Sequence, residues 1–196
     1  MSFQRQQCRE DPVCPVVCSC DQSREYFSKL TNEIRLFTHK LNSEEYGDKE
    51  ETLDCRERDL TKVPTRISTT VNTIRLEDNK IRSLSNRQFS PYKQLKHLDL
   101  SDNQIETVDE NAFYGLTNLQ RVLLYENKIK TVEVGTFARL SNLKILFMSS
   151  NQISCLHRDT FRDLEKLEVL TFYDNQLTTL PKGIFDHNKV RVELVH

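Results

Sequence analysis

Glycine and tryptophan are the first shortages: the 196-residue chain has 4 Gly and no Trp. So few glycines argue against the Gly-rich loops with which nucleotide-binding folds cradle phosphates. An excess of charge of one sign is also missing. Lys and Arg total 28 against 29 Asp and Glu, for a net charge of -1. A general nucleic-acid binder would carry a basic excess, so that class is not expected. No apolar run approaches the ~18 residues of a membrane span. Met1 to Glu10 contains no apolar h-region, so the chain as it stands does not begin with a secretory signal. The five histidines are scattered, with neither H-E-x-x-H nor G-x-S-x-G nearby, and no catalytic constellation is expected.

What the chain does have is a repeat. Asparagine recurs at Asn79, Asn103, Asn127, Asn151 and Asn175, each step being 24 residues. Phe89, Phe113, Phe137, Phe161 and Phe185 keep the same step. So do Leu95, Leu119, Leu143 and Leu167, and Ile81, Ile105, Ile129, Ile153 and Leu177. One copy reads Leu95, Leu98, Leu100, Asn103, Ile105, Val108. Its L-x-L core alternates with period two and predicts a short strand with one buried face. The Asn follows where the chain must turn, and its amide can bond the backbone of neighbouring coils. Phe113 and Leu116 fill the core beneath the returning segment. A single coil cannot bury its own apolar face, so the copies must stack. The expected fold is an α/β leucine-rich repeat solenoid: a curved parallel sheet on the concave face, with short helical or irregular segments on the convex face.

The predicted organisation is an upstream remnant over 1–13, an N-terminal cysteine cap over 14–64 and about five repeats over 65–196. The cap carries Cys14, Cys18, Cys20 and Cys55, the last within Leu53-Asp54-Cys55-Arg56, followed by Leu60 and Pro64. Closely spaced cysteines are disulfide partners or zinc ligands; the cap setting and the lack of a nearby His favour disulfides, hence an oxidising, extracellular compartment. Cys8 has no evident partner. Cys155 takes the place held elsewhere by Ser83, Thr107, Thr131 and Thr179, as a small half-buried filler or a reactive thiol.

Two features are irregular. The interval between Cys20 and Cys55 holds 34 residues. Its extra piece, about 23–51, carries Tyr26, Leu30, Ile34, Phe37 and Leu41 at helical spacing. It reads equally as an amphipathic helix that packs on the cap or grips a partner, or as a loop artefact such as translated intron, and closure entropy of only ~1.5 kcal/mol would still let the cap form. At the other end, the chain stops at His196, where a sixth strand would begin, and no C-terminal cysteine cap follows. The chain therefore reads as a fragment, with Phe172 and Leu180 near an open end of the core.

Strand alternation sends one set of side chains out of the concave sheet. In order these are Thr73, Arg75, Glu77; His97, Asp99, Ser101; Arg121, Leu123, Tyr125; Ile145, Phe147, Ser149; and Val169, Thr171, Tyr173. Charge is expected on the first two coils. Leu123, Tyr125, Ile145, Phe147, Val169 and Tyr173 should form an apolar-aromatic patch on the last three, since coils stack at ~4.8 Å. Such a patch with a polar rim describes a protein-binding surface, unless neighbours or a missing cap cover it. No N-x-[S/T] acceptor interrupts it.

Asp54-Cys55-Arg56, Ile74-Arg75-Leu76-Glu77, Phe89-Ser90-Pro91-Tyr92-Lys93, Asp99-Leu100-Ser101, Leu124-Tyr125 with Asn127-Lys128-Ile129, Tyr173-Asp174-Asn175 and Lys182-Gly183 go beyond the generic repeat. Together they resemble the second leucine-rich repeat domain of the Slit family of secreted axon-guidance ligands. The likeness runs from Cys14 to about Phe185, the 23–51 piece excepted. It implies bridges Cys14–Cys20 and Cys18–Cys55. It also implies a concave face that binds the first immunoglobulin domain of Roundabout receptors, and heparan sulfate in the complex, although the sequence shows no polybasic patch. By position the implied contacts are aromatic at Tyr125 and Tyr173 and basic at Arg56 and Arg75, with Leu123 and Phe147 in the same patch. The family's Glu is Thr73 here, and its Arg-Arg is Lys96-His97. His97 carries little charge at neutral pH, so weaker electrostatic steering is expected. The competing readings are a matrix protein using the same face on collagen, and a truncated, non-functional or decoy fragment.

Overall fold

The computed structural model describes residues 51–65, 67–188 and, as backbone, 191–193. Cys8, Cys14, Cys18, Cys20 and the 23–50 part of the insertion lie outside the described residues, as does His196.

Each L-x-L segment forms a three-residue strand. They are β1 (Thr52–Asp54), β2 (Thr73–Arg75), β4 (His97–Asp99), β6 (Arg121–Leu123), β7 (Ile145–Phe147), β8 (Val169–Thr171) and β9 (Arg191–Glu193). They hydrogen-bond in that order into one seven-stranded, all-parallel sheet. Register follows the repeat, so Ile74 pairs with Leu98, Leu98 with Val122, Val122 with Leu146 and Leu146 with Leu170. The strand expected beyond the last repeat is thus present as β9, paired to β8, and Phe172 is buried. Two shorter strands, β3 (Ser83–Leu84) and β5 (Thr107–Val108), pair in a separate two-stranded sheet that the L-x-L pattern does not foretell.

The asparagines join the coils. Asn127 Nδ2 donates to the carbonyl of Leu100 on the preceding coil at 2.9 Å, and its Oδ1 accepts from Ile105 N at 2.9 Å. Asn103, Asn151 and Asn175 repeat the arrangement. Just before each of the five asparagines, Asp78, Asp102, Glu126, Ser150 and Asp174 adopt positive φ of 50 to 56°. These turns are left-handed without glycine, at ~1–2 kcal/mol each, held by the amide bonds that follow. Phe89, Phe113, Phe137, Phe161 and Phe185 stack with centroids 6.0 to 6.2 Å apart, forming a spine through the interior.

Of the helical or irregular segments expected on the convex face, the irregular form is what occurs: no helix is found among the described residues. Their i to i+3 hydrogen bonds fall at intervals, as in Gln88 N to Ser85 O, Ser90 N to Arg87 O and Tyr92 N to Phe89 O. A helix needs such bonds at successive residues. What forms is a chain of turns, tight enough to cross the convex face within one 24-residue coil.

Cys55 and Val63 are wholly buried and belong to the same core cluster as the repeats. The described part of the cap therefore packs continuously with the solenoid. Cys155 is half-buried, as a filler position requires, but its sulfur is in a disulfide and not a thiol.

Candidate functional site

The parallel register sorts the outward positions of the concave sheet into lanes. One runs Thr73, His97, Arg121, Ile145, Val169, and the next runs Asp54, Arg75, Asp99, Leu123, Phe147, Thr171. Two residues further along each coil stand Arg56, Glu77, Ser101, Tyr125, Ser149 and Tyr173. Each lane passes from polar to largely apolar as the coils advance.

At the apolar end, Ile145, Phe147 and Val169 form a cluster separate from the main core, with Leu123, Tyr125 and Tyr173 packed against it. These are the six side chains that alternation assigns to the patch. Their exposure differs from the expectation: Ile145 and Phe147 are each 3 % exposed and Val169 is also buried, while Leu123, Tyr125 and Tyr173 are half-buried. Alternation fixes the face of a side chain but not how much of its surface its neighbours take. Here apolar residues in register on adjacent strands, some 4.8 Å apart, pack against one another.

At the polar end, the charges are paired. Arg56 donates twice to Asp54, Nε to Oδ1 at 2.8 Å and Nη2 to Oδ2 at 2.6 Å, and its Nε stands 3.4 Å from Glu77 Oε1. Arg75 Nη1 approaches the same Asp54 at 3.4 Å. Burial alone would raise the Asp54 pKa, but the hydrogen bonds and charge of Arg56 outweigh it and lower it. Glu77 behaves oppositely. It is 1 % exposed and neither carboxylate oxygen accepts a hydrogen bond. Desolvation first, then the charge of Asp99, pushes its pKa up to about 8. Asp99 is raised by burial to about 6, although Ser101 donates to its Oδ1 through both N and Oγ.

The structure thus brings Arg56 and Arg75 together around Asp54, and Leu123, Tyr125, Phe147 and Tyr173 into one apolar cluster. His97 is half-buried on β4 between these groups, paired in register with Thr73 and Arg121. Cys55 is buried, whereas its implied partner Cys18 and the pair Cys14 and Cys20 lie outside the described residues. The buried carboxylates Glu77 and Asp99 are the polar feature that pattern reading passes over. Among the described residues no group of three or more His, Cys, Asp or Glu side chains could hold a metal ion.

The sequence model for the leucine rich repeat matches residues 69–129 and 117–177, together more than half of the chain. Among solved structures, the chain resembles the crystal structure of TLR13 in complex with ssRNA13, at 30% identity and a TM-score of 0.58. The match covers 65% of this chain and 19% of that one, so the chain spans about a fifth of the length of this structural relative.

Proposed function

Because the chain belongs to the leucine-rich repeat family, we propose that it is an extracellular protein-binding module whose concave face takes the first immunoglobulin domain of a Roundabout-type receptor, as a Slit-like ligand does. The observation that carries this reading is the apolar cluster of Ile145, Phe147 and Val169 with Leu123, Tyr125 and Tyr173, which stands apart from the core on a sheet face. Aromatic side chains beside charged neighbours make effective anchors for a protein surface. Secretion, the cap bridges Cys14–Cys20 and Cys18–Cys55, and heparan sulfate in the complex belong to the same proposal.

The RNA in the TLR13 complex suggests a nucleic-acid ligand instead. The charged end of this concave face argues for protein. It sets Asp54, Glu77 and Asp99 against Arg56 and Arg75, with Asp54 and Arg56 already paired. A phosphate backbone needs a surplus of cations.

The test is binding of the secreted, oxidised protein to that immunoglobulin domain, beside a Tyr125→Ala/Tyr173→Ala variant and a single-stranded RNA control. Each tyrosine is expected to contribute ~2 kcal/mol or more. Binding that the double variant retains in full would remove the concave patch from the account. Tight RNA binding with no affinity for the immunoglobulin domain would favour the other reading.

A further inference from the structure

Five ionisable side chains meet where the first coil packs on the second. Asp54 and Arg56 come from β1 and the turn after it, Arg75 and Glu77 from β2 and the turn after it, and Asp99 from β4. Asp54, Glu77 and Asp99 are buried, Arg56 is nearly so, and Arg75 keeps 32 % of its side-chain surface. Two guanidinium groups thus face three carboxyl groups in a nearly closed space. Glu57 and Asp102 at its margin act on Arg56 and Asp99 and add only negative charge. If all three carboxyls were ionised, the group would be short of one positive charge, which a buried site tolerates badly. One carboxyl must therefore keep its proton.

Hydrogen bonding decides which. Asp54 accepts two bonds from Arg56, and Asp99 accepts two from Ser101. Neither oxygen of Glu77 accepts any. Glu77 is thus the carboxyl least fitted to carry a charge where it stands. Its cover on one side is the first coil. Arg56 Nε lies 3.4 Å from Glu77 Oε1, Glu57 N donates to Glu77 O at 3.3 Å, Cys55 N to Arg75 O at 2.8 Å, and Lys80 N to Leu60 O at 2.8 Å. Among the described residues β1 pairs only with β2. A coil held through one interface opens at lower cost than the whole stack unfolds.

We propose that Glu77 is a proton lock on the first coil: protonated, it lets residues 52–60 stay closed over β2, and loss of its proton favours their opening as a unit, which takes Asp54 and Arg56 off the concave face. Opening hydrates Glu77. Its carboxyl ionises at about 8 when covered and near 4.5 in water, so opening releases a proton between these values and becomes easier as pH rises. Asp99 stays between β2 and β6 when β1 leaves, and it titrates lower, at about 6. The switch therefore works across neutral pH, at the charged end of the face.

Native-state amide exchange of the full chain, followed at low guanidinium concentrations from about pH 6.5 to pH 8, tests this. Protection factors are compared, since they already correct for the faster intrinsic exchange in base. Cys55 and Lys80 are expected to exchange through an opening with less protection and a weaker denaturant dependence than Met148, whose amide bonds Thr171 O in a later coil. Their protection should fall on the order of tenfold across the range. Glu77→Gln should hold it constant. Should that variant fold poorly, Asp99→Asn gives a second test: without the neighbouring charge, the fall should move to lower pH. Protection at Cys55 and Lys80 that ignores pH, exchange there only together with Met148, or a fall that a folded variant leaves unaltered would each overturn the proposal. No partner enters the measurement, so its failure leaves the concave reading standing.

Discussion

Arg56 and Asp54 form a two-point ion pair, with Nε and Nη2 of one on Oδ1 and Oδ2 of the other at 2.8 and 2.6 Å. The pair is nearly buried and also faces the carboxylate of Glu77. Under the proposed function Arg56 would be a basic contact for a receptor, yet in this structure its charge already serves the fold. Substitution Arg56→Ala should therefore act first on stability. Leaving the buried Asp54 with only the more distant Arg75 as a cation is expected to cost ~3 kcal/mol in denaturant unfolding. A loss below ~1 kcal/mol would mean that the pair is solvated and that Arg56 is available to a partner.

Glu77 sets a pH dependence whose direction follows from its raised pKa. Unfolded, the carboxyl ionises near 4.5; folded, it keeps its proton up to about 8. Between these values the unfolded state binds fewer protons, so stability falls as pH rises through this window and levels off above it. Glu77→Gln keeps the shape and removes the ionisation. Asp99, raised to about 6, still titrates in the variant, so both proteins lose stability up to about that pH. Above it the variant is expected to hold a nearly constant melting temperature to pH 8 while the parent continues to fall, and to exceed the parent at pH 8. Parallel curves for the two proteins would show that Glu77 does not titrate in this window.

Asn127 is a junction between two coils. Its amide donates to Leu100, Leu124 and Tyr125 carbonyls and accepts from Ile105 N, all with little access to water. Asn127→Ala leaves the buried Ile105 N without a partner and takes one of two donors from each of the Leu100, Leu124 and Tyr125 carbonyls, which keep Asn103, Asn151 and Asp102. A cost of ~1–3 kcal/mol is expected by chemical denaturation. Asn175→Ala should cost less, since its site is only partly buried. Equal losses at the two positions would show that burial does not set the cost.

These junctions were legible in the sequence because an Asn every 24 residues is a strong signal, and so were the strands and the Phe spine. The left-handed turns just before each Asn were not. Asp at three of the five positions tolerates positive φ, but Glu126 and Ser150 break the pattern and no glycine marks the turn. Whether the convex segments are helical or irregular was not legible, because apolar spacing does not reveal whether turn hydrogen bonds fall on successive residues. At the site, alternation grouped the six members of the apolar cluster correctly. It could not show their burial, which depends on neighbours far away in the chain, nor that Arg56 is committed to Asp54. Those outcomes depend on tertiary packing, where local pattern carries no information.

That burial separates two kinds of residue within one patch. Phe147 is covered and sits between Leu123 and Thr171 in register, so Phe147→Ala opens a cavity and is expected to cost ~3–5 kcal/mol of stability. Tyr173 is half-buried at the edge of the same cluster, and Tyr173→Ala removes less packed surface. Its thermal unfolding should stay closer to that of the parent, while its affinity for the immunoglobulin domain falls by ~2 kcal/mol or more. Measuring unfolding and binding on both variants distinguishes the roles. A Tyr173 variant destabilised as much as the Phe147 variant would place the tyrosine among the structural residues. Any affinity it then lost would report damage to the fold and not the loss of an anchor.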